Sequence, residues 1–113
     1  MKKRPKYGNR KTEVDGYLFD SAAEALRYRE LKLLEAAGEI TRLVLQPKFQ
    51  VEIEGRHICD YFADFSYWDG KTSNLVVEDV KSEYTAKLPM FLLKKNLVEA
   101  LYPGIKITVV QNG

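Results

Sequence analysis

The stretch Leu75-Val76-Val77-Glu78-Asp79-Val80-Lys81 constrains this chain more than any other. Leu75, Val76, Val77 and Val80 are the residues of a strand. The strand nevertheless ends in two carboxylates and a lysine. Side chains alternate across a strand, so Asp79 and Lys81 share one face while Glu78 and Val80 share the other. An unpaired charge inside a sheet is costly. The strand therefore either frays into solvent with an ordinary ion pair or carries a site. A carboxylate and an ammonium two residues apart can together hold a divalent cation and steady a phosphate oxygen. Glu78, on the opposite face, serves as the internal control, and Glu78→Gln is expected to disturb neither site nor fold.

The segments before this strand follow recognisable rules. Glu13 to Phe19 is extended around an Asp15-Gly16 turn. Ser21 followed by Glu24 makes a capping box, and the helix it opens runs from about Ser21 to Ala37, with Gly38 as its stop. Leu26, Leu33, Leu34 and Ala37 form one apolar stripe, and Glu24, Arg27, Tyr28 and Leu31 form its neighbour. Glu24 has two readings at this point: a helix cap and nothing more, or a ligand for metal or water projecting from the first turn. Ile40 to Leu45 is apolar and is broken by Gln46-Pro47. Phe49 to Ile53 alternates as a half-buried strand, Glu54-Gly55-Arg56 turns, and Ile58 to Trp68 reads as one long second strand. On that strand Ile58, Asp60, Phe62, Asp64 and Ser66 share a face, while Cys59, Tyr61, Ala63, Phe65 and Tyr67 share the core face. With Leu75–Lys81 these strands read as a three-stranded meander. Ser82 to Leu88 is polar, Pro89 suits the first turn of a helix reaching Leu101, Pro103-Gly104 ends it, and Ile105 to Val110 is a last strand.

Composition narrows the class. A chain of 113 residues with 45% hydrophobic and 30% charged residues fits one ordinary globular domain. Cys59 is the only cysteine, so no intrachain disulfide forms. No apolar run approaches the roughly 18 residues of a membrane span, and no apolar signal core follows the basic start. A cytoplasmic protein with no membrane partner is expected. Of the 18 Lys and Arg residues, Lys2, Lys3, Arg4, Lys6, Arg10 and Lys11 precede the first acid. The rest of the chain holds 12 basic against 16 acidic side chains. Residues 1–12 thus read as a basic flexible arm on a mildly acidic domain, 13–113. Such an arm suits a polyanion, most simply nucleic acid phosphate, or is a solubilising tail.

Several chemistries are excluded. One histidine, His57, and one cysteine cannot make a zinc site of the usual spacing. His57 falls at a turn with nothing to orient it, which removes a Ser-His-Asp triad. No glycine-rich phosphate loop is present. What remains is a set of carboxylates on three elements: Glu24 on the first helix, Asp64 on the middle strand and Asp79 on the next, with Lys81 following. Neighbouring antiparallel strands bring Asp64 and Asp79 together, and clustered carboxylates repel unless a cation joins them. Mg²⁺ takes such oxygen ligands, and metal-assisted phosphodiester hydrolysis uses them.

In this order the segments resemble the PD-(D/E)XK, or restriction-endonuclease-like, nuclease superfamily: an acid on the first helix (Glu24), an Asp on the second strand (Asp64) and Asp79-Val80-Lys81 on the third. Phe19 to Leu31, Gly38-Glu39-Ile40, Gln46-Pro47, Tyr61 to Phe65 and Glu78 to Lys81 further resemble a small family of unknown function carried by phages and prophages. The likeness spans residues 13–110. Ala63 stands where the superfamily often has Pro, and Ser82 where the small family has Gly.

The resemblance implies an α/β (α+β) fold with a restriction-endonuclease-like core, element order α-β-β-β-α-β, and a mixed sheet flanked by helices. It implies a Mg²⁺-dependent DNA nuclease, with Mn²⁺ an alternative ion, in phage replication, recombination or packaging inside the bacterial host. Asp64, Asp79 and the Val80 carbonyl then bind the metal. Lys81 orients the attacking water or stabilises phosphate charge, and Glu24 holds a metal-bound water or a second metal. Gln46 supports the site. Lys94 resembles a family lysine facing the scissile phosphate or the DNA backbone, against the plain reading of a solvated helix lysine. Two alternatives share this fold: a DNA-binding or assembly module without catalysis, and a junction-resolving homodimer.

Overall fold

The structure, a computed structural model, describes residues 11–111. Strands β1 (Thr12–Val14) and β2 (Tyr17–Phe19) form a hairpin. Its turn residues, Asp15 and Gly16, have φ of 53° and 81°. Left-handed values at both central positions match the twist of the flanking strands, and Asp-Gly supplies them at little steric cost. The turn is tied down where the Tyr28 hydroxyl donates to Asp15 Oδ2 at 2.9 Å.

Helix α1 (Ala22–Ala36) starts where the capping box placed it: Ser21 Oγ accepts from the Glu24 N–H at 3.1 Å. It ends in a Schellman motif. Glu39 N–H donates to the Leu34 carbonyl and Gly38 N–H to that of Glu35, with Gly38 left-handed at φ 79°. Its buried face is Ala25, Tyr28 and Leu31. The expected stripe is corrected here: Leu26 and Leu33 are 60% and 72% exposed. Arg27 and Tyr28 have specific partners in the sheet and hairpin, and these fix the rotation of the helix about its axis. Leu26, 100° round from Ala25, then faces outward.

The main sheet has four strands in the order β3 (Ile40–Leu45), β6 (Phe65–Asp69), β7 (Leu75–Lys81), β8 (Ile107–Gln111). The first two pairings are antiparallel and the last is parallel. A parallel pair needs a crossover, and helix α2 (Pro89–Leu101), preceded by a short 3₁₀ turn at Thr85–Lys87, provides it. Strands β4 (Lys48–Ile53) and β5 (Arg56–Phe62) form a separate hairpin. The helix, three antiparallel strands, helix and parallel strand of the main layer keep the order α-β-β-β-α-β, but with different strands from those expected. Ile58–Trp68 is not one strand and there is no three-stranded meander. At Ala63-Asp64 the chain changes sheets. Ala63 N–H donates to the Pro47 carbonyl, whereas Asp64 N–H donates to that of Glu78 at 3.0 Å. Ile40–Leu45 is the neighbour of β6 instead.

This break explains why one alternating pattern serves two cores. Tyr61 and Ala63 pack with Val51, Val77, Phe91, Val98 and Ile107, on the side of α2 and the β4–β5 hairpin. Phe65 and Tyr67 pack with Phe19, Tyr28, Leu31 and Val80, on the side of α1. Strand β7 separates the cores, with Val77 buried in one and Val80 in the other. Among the described residues no helix is long and apolar enough to cross a membrane.

Candidate functional site

The site begins at the break. Asp64 sits between β5 and β6, held on both sides by backbone. Gln46 N–H donates to its carbonyl at 2.9 Å, and its own N–H reaches Glu78. Its carboxylate turns onto the next strand, where Oδ2 accepts from Val80 N–H at 2.7 Å. Asp79, on the α2 face of β7, is 2% exposed. Its Oδ2 accepts from the Tyr61 hydroxyl, and its Oδ1 lies 3.8 Å from Lys81 Nζ. Lys81 Nζ in turn stands 4.7 Å from the ring centroid of Phe91 on α2, a cation–π contact.

Electrostatics join Asp64, Asp79 and Glu24. Burial pushes the Asp64 carboxyl up to about 9, with the negative charges of Asp79 and Glu24 adding to it and the Val80 N–H opposing. Glu24, in the first turn of α1, is pushed up to about 7 by burial, then by Asp20 and Asp79, with Lys81 opposing. Asp64 thus holds its proton at neutral pH when no cation is bound.

The raised values fix the sign of a pH effect. A carboxyl that binds its proton more tightly folded than unfolded loses stability as pH rises. For Asp64 that window runs from its ordinary 3.8 to about 9. Asp64→Asn keeps an oxygen for Val80 N–H and removes the repulsion. Without divalent ions at pH 8 it is expected to melt roughly 5 °C or more above wild type, about 1 kcal/mol or more, with the advantage vanishing near pH 4. Melts across that range check it; an advantage independent of pH would overturn the account.

The other expected residues fall as follows. Val80 directs its side chain into the α1 core and its N–H to Asp64. Gln46 is left-handed at φ 51° and supports Asp64 through its backbone N–H. Lys94 Nζ lies 3.5 Å from the Asp60 carbonyl on β5, so it caps the hairpin edge. Lys11 pairs with Asp20 at 2.9 Å. Lys2, Lys3, Arg4, Lys6 and Arg10 lie outside the described residues. Glu78 faces away from Asp79, but it is no neutral control. It is 2% exposed and takes both arms of Arg27, Nε to Oε1 at 2.8 Å and Nη2 to Oε2 at 2.7 Å, with the Tyr67 hydroxyl also donating. Glu78→Gln removes half of a buried ion pair.

Three contributors were not assigned to the site from sequence. Tyr61 reads as core by alternation, Phe91 as part of an apolar helix face, and Arg27 as a polar residue one turn beyond Glu24. The only signal available was that Glu24 and Arg27 share a helix face.

Among the described residues no group of three or more His, Cys, Asp or Glu side chains is placed to hold a metal ion. Asp79 and Asp64 each give an oxygen to a protein donor instead.

Fold and site define an α/β domain whose mixed sheet, flanked by two helices, gathers an acidic pair and a lysine where β6 meets β7. The chain belongs to the family described as "Protein of unknown function (DUF1064)", whose model matches residues 4–112. No curated protein and no solved structure matches it.

Proposed function

We propose that the domain is a divalent-metal-dependent DNA nuclease with a restriction-endonuclease-like core. The observation that carries this reading is the mutually repelling pair of the half-buried Asp64, at the junction of β5 and β6, and the buried Asp79 on β7, with Lys81 beside it. Hard oxygen donors suit Mg²⁺ or Mn²⁺, and Mg²⁺ commonly takes only one or two carboxylates, with waters and substrate phosphate completing its shell. The donor set fits such an ion in kind, with Asp64, Asp79 and the Val80 carbonyl as its holders. The ion would supply Lewis-acid stabilisation of phosphate charge. Lys81, half-sheltered against Phe91, supplies a fixed positive charge for a phosphate oxygen and a donor to orient water. Glu24, pushed up to about 7, exchanges a proton near neutral pH and suits the holding of a water.

The test is purified protein incubated with duplex, single-stranded and branched DNA in Mg²⁺, Mn²⁺ or EDTA. Cleavage that EDTA abolishes is expected. Activity surviving chelation overturns the metal reading. Binding without cleavage in any condition identifies a non-catalytic DNA-binding module instead, and cleavage confined to branched DNA by a dimer identifies a junction-resolving enzyme.

The arm is tested separately. Deleting residues 1–10 removes five of the six leading basic groups and spares the Lys11–Asp20 pair. Each phosphate contact contributes about 0.9 to the slope of log K against log salt on duplex DNA. The deletion is expected to lower that slope by roughly 2–4 and leave the melting temperature unchanged. An unchanged slope returns the arm to a solubilising role.

A further inference from the structure

Tyr61 lies on β5, a strand outside the main sheet, yet its hydroxyl donates to Oδ2 of Asp79 in the middle of that sheet. The change of sheets at Ala63-Asp64 makes this reach available. It turns the β4–β5 hairpin over the α2 face of β7, the face on which Asp79 points. Tyr61 is 4% exposed and its ring is packed near Phe49. Because Asp79 is also nearly fully buried, the two groups are held by packing on both sides. The two carboxylate oxygens are therefore unequal. Oδ2 accepts the hydrogen bond from the Tyr61 hydroxyl, and Oδ1 faces Lys81.

We propose that Tyr61 is a positioning residue that commits Asp79 to bind a divalent cation through Oδ1 alone, and so favours Mg²⁺ and Mn²⁺ over Ca²⁺. The inference rests on the metal-dependent reading above and adds its ion selectivity. Ca²⁺ collects six to eight oxygens at about 2.3–2.6 Å and often takes both oxygens of one carboxylate. Mg²⁺ keeps near-octahedral geometry at about 2.0–2.1 Å, which single carboxylate oxygens serve. A hydroxyl fixed on Oδ2 thus withdraws the contact that Ca²⁺ uses and Mg²⁺ does not. Partners that orient a ligand in this way commonly change metal affinity by about 10–100-fold when removed.

The experiment is calorimetric titration of the full chain with MnCl₂, MgCl₂ or CaCl₂ alone, for wild type, Tyr61→Phe and Asp79→Asn. Wild type is expected to bind Mn²⁺ more tightly than Ca²⁺, and Asp79→Asn to lose most of that binding. Tyr61→Phe removes one oxygen and keeps the ring. It is expected to weaken Mn²⁺ about tenfold while Ca²⁺ weakens less or strengthens, so the Mn²⁺/Ca²⁺ preference shrinks by roughly fivefold or more. A merely structural tyrosine would weaken both ions equally, and an unchanged preference overturns the role of Tyr61 alone. Absence of Mn²⁺ binding by wild type overturns the metal-dependent reading and this inference with it. Should Tyr61→Phe fail to fold, infrared difference spectra of wild type on adding Mg²⁺ give the answer directly. The carboxylate band missing in Asp79→Asn is expected to show the wide splitting of single-oxygen coordination, and the narrow splitting of two-oxygen coordination overturns the proposal.

Discussion

Asp79→Asn is expected to reduce metal-dependent DNA cleavage by about 10²–10³-fold or more, because Lewis-acid stabilisation is worth several kcal/mol and each 1.36 kcal/mol is tenfold in rate. The fold should survive. The asparagine carbonyl can still accept from the Tyr61 hydroxyl, and the substitution removes one charge of the repelling Asp64–Asp79 pair. It also removes an attraction to Lys81, but at 3.8 Å with Lys81 about a quarter exposed that loss is small. Net stability without metal is expected to hold or rise slightly. Added Mg²⁺ should then raise the melting temperature of wild type by mass action and that of Asp79→Asn less. The opposite pattern, a destabilised variant with wild-type activity per folded molecule, would make Asp79 only the partner of Lys81 in a structural ion pair. Equal Mg²⁺ stabilisation with equal cleavage would remove the proposed site.

Arg27→Ala is expected to cost about 2–4 kcal/mol of stability, roughly 10–20 °C in melting temperature for a domain of this size. Glu78 is nearly fully buried between the sheet and α1, and its carboxylate is matched by both arms of Arg27. Removing the guanidinium leaves that charge with only the Tyr67 hydroxyl. The figure lies below the range for fully buried pairs because Arg27 keeps about a quarter of its side-chain surface in water. Adding Glu78→Gln to Arg27→Ala is expected to recover part of the loss, since the buried group is then neutral and can still accept from Tyr67. Urea unfolding of the two single variants and the double variant gives the coupling directly. A loss under about 1 kcal/mol would rank this pair with ordinary surface bridges. The pair also fixes α1 one turn beyond Glu24, so its removal should shift Glu24 relative to Asp79 and lower any cleavage activity per folded molecule.

Both variants act on β7, where local sequence and tertiary context contributed different things. Alternation alone placed Asp79 and Lys81 on one face and Glu78 and Val80 on the other, because the pleat of a strand has period two whatever surrounds it. The cap at Ser21, the stop at Gly38, the turns at Asp15-Gly16 and Glu54-Gly55 and the start of α2 at Pro89 were legible for the same reason: each is set by the backbone preferences of a few neighbouring residues.

What those local rules could not contain was which strand pairs with which. Tyr61 to Tyr67 keeps a single alternation through Ala63-Asp64, yet the chain there leaves one sheet for another. That exchange depends on the Pro47 and Glu78 carbonyls, 16 and 14 residues away along the chain. Leu26 and Leu33 read as core by residue type and are exposed, because helix rotation was set by Arg27 finding Glu78, 51 residues on. The acidic set was likewise legible as residue types at their spacings. That Tyr61 holds one oxygen of Asp79, that Phe91 shelters Lys81 and that burial raises Asp64 and Glu24 are properties of packed neighbours. Proton affinity and ligand orientation depend on what surrounds a carboxylate in space, and only the tertiary structure decides what that is.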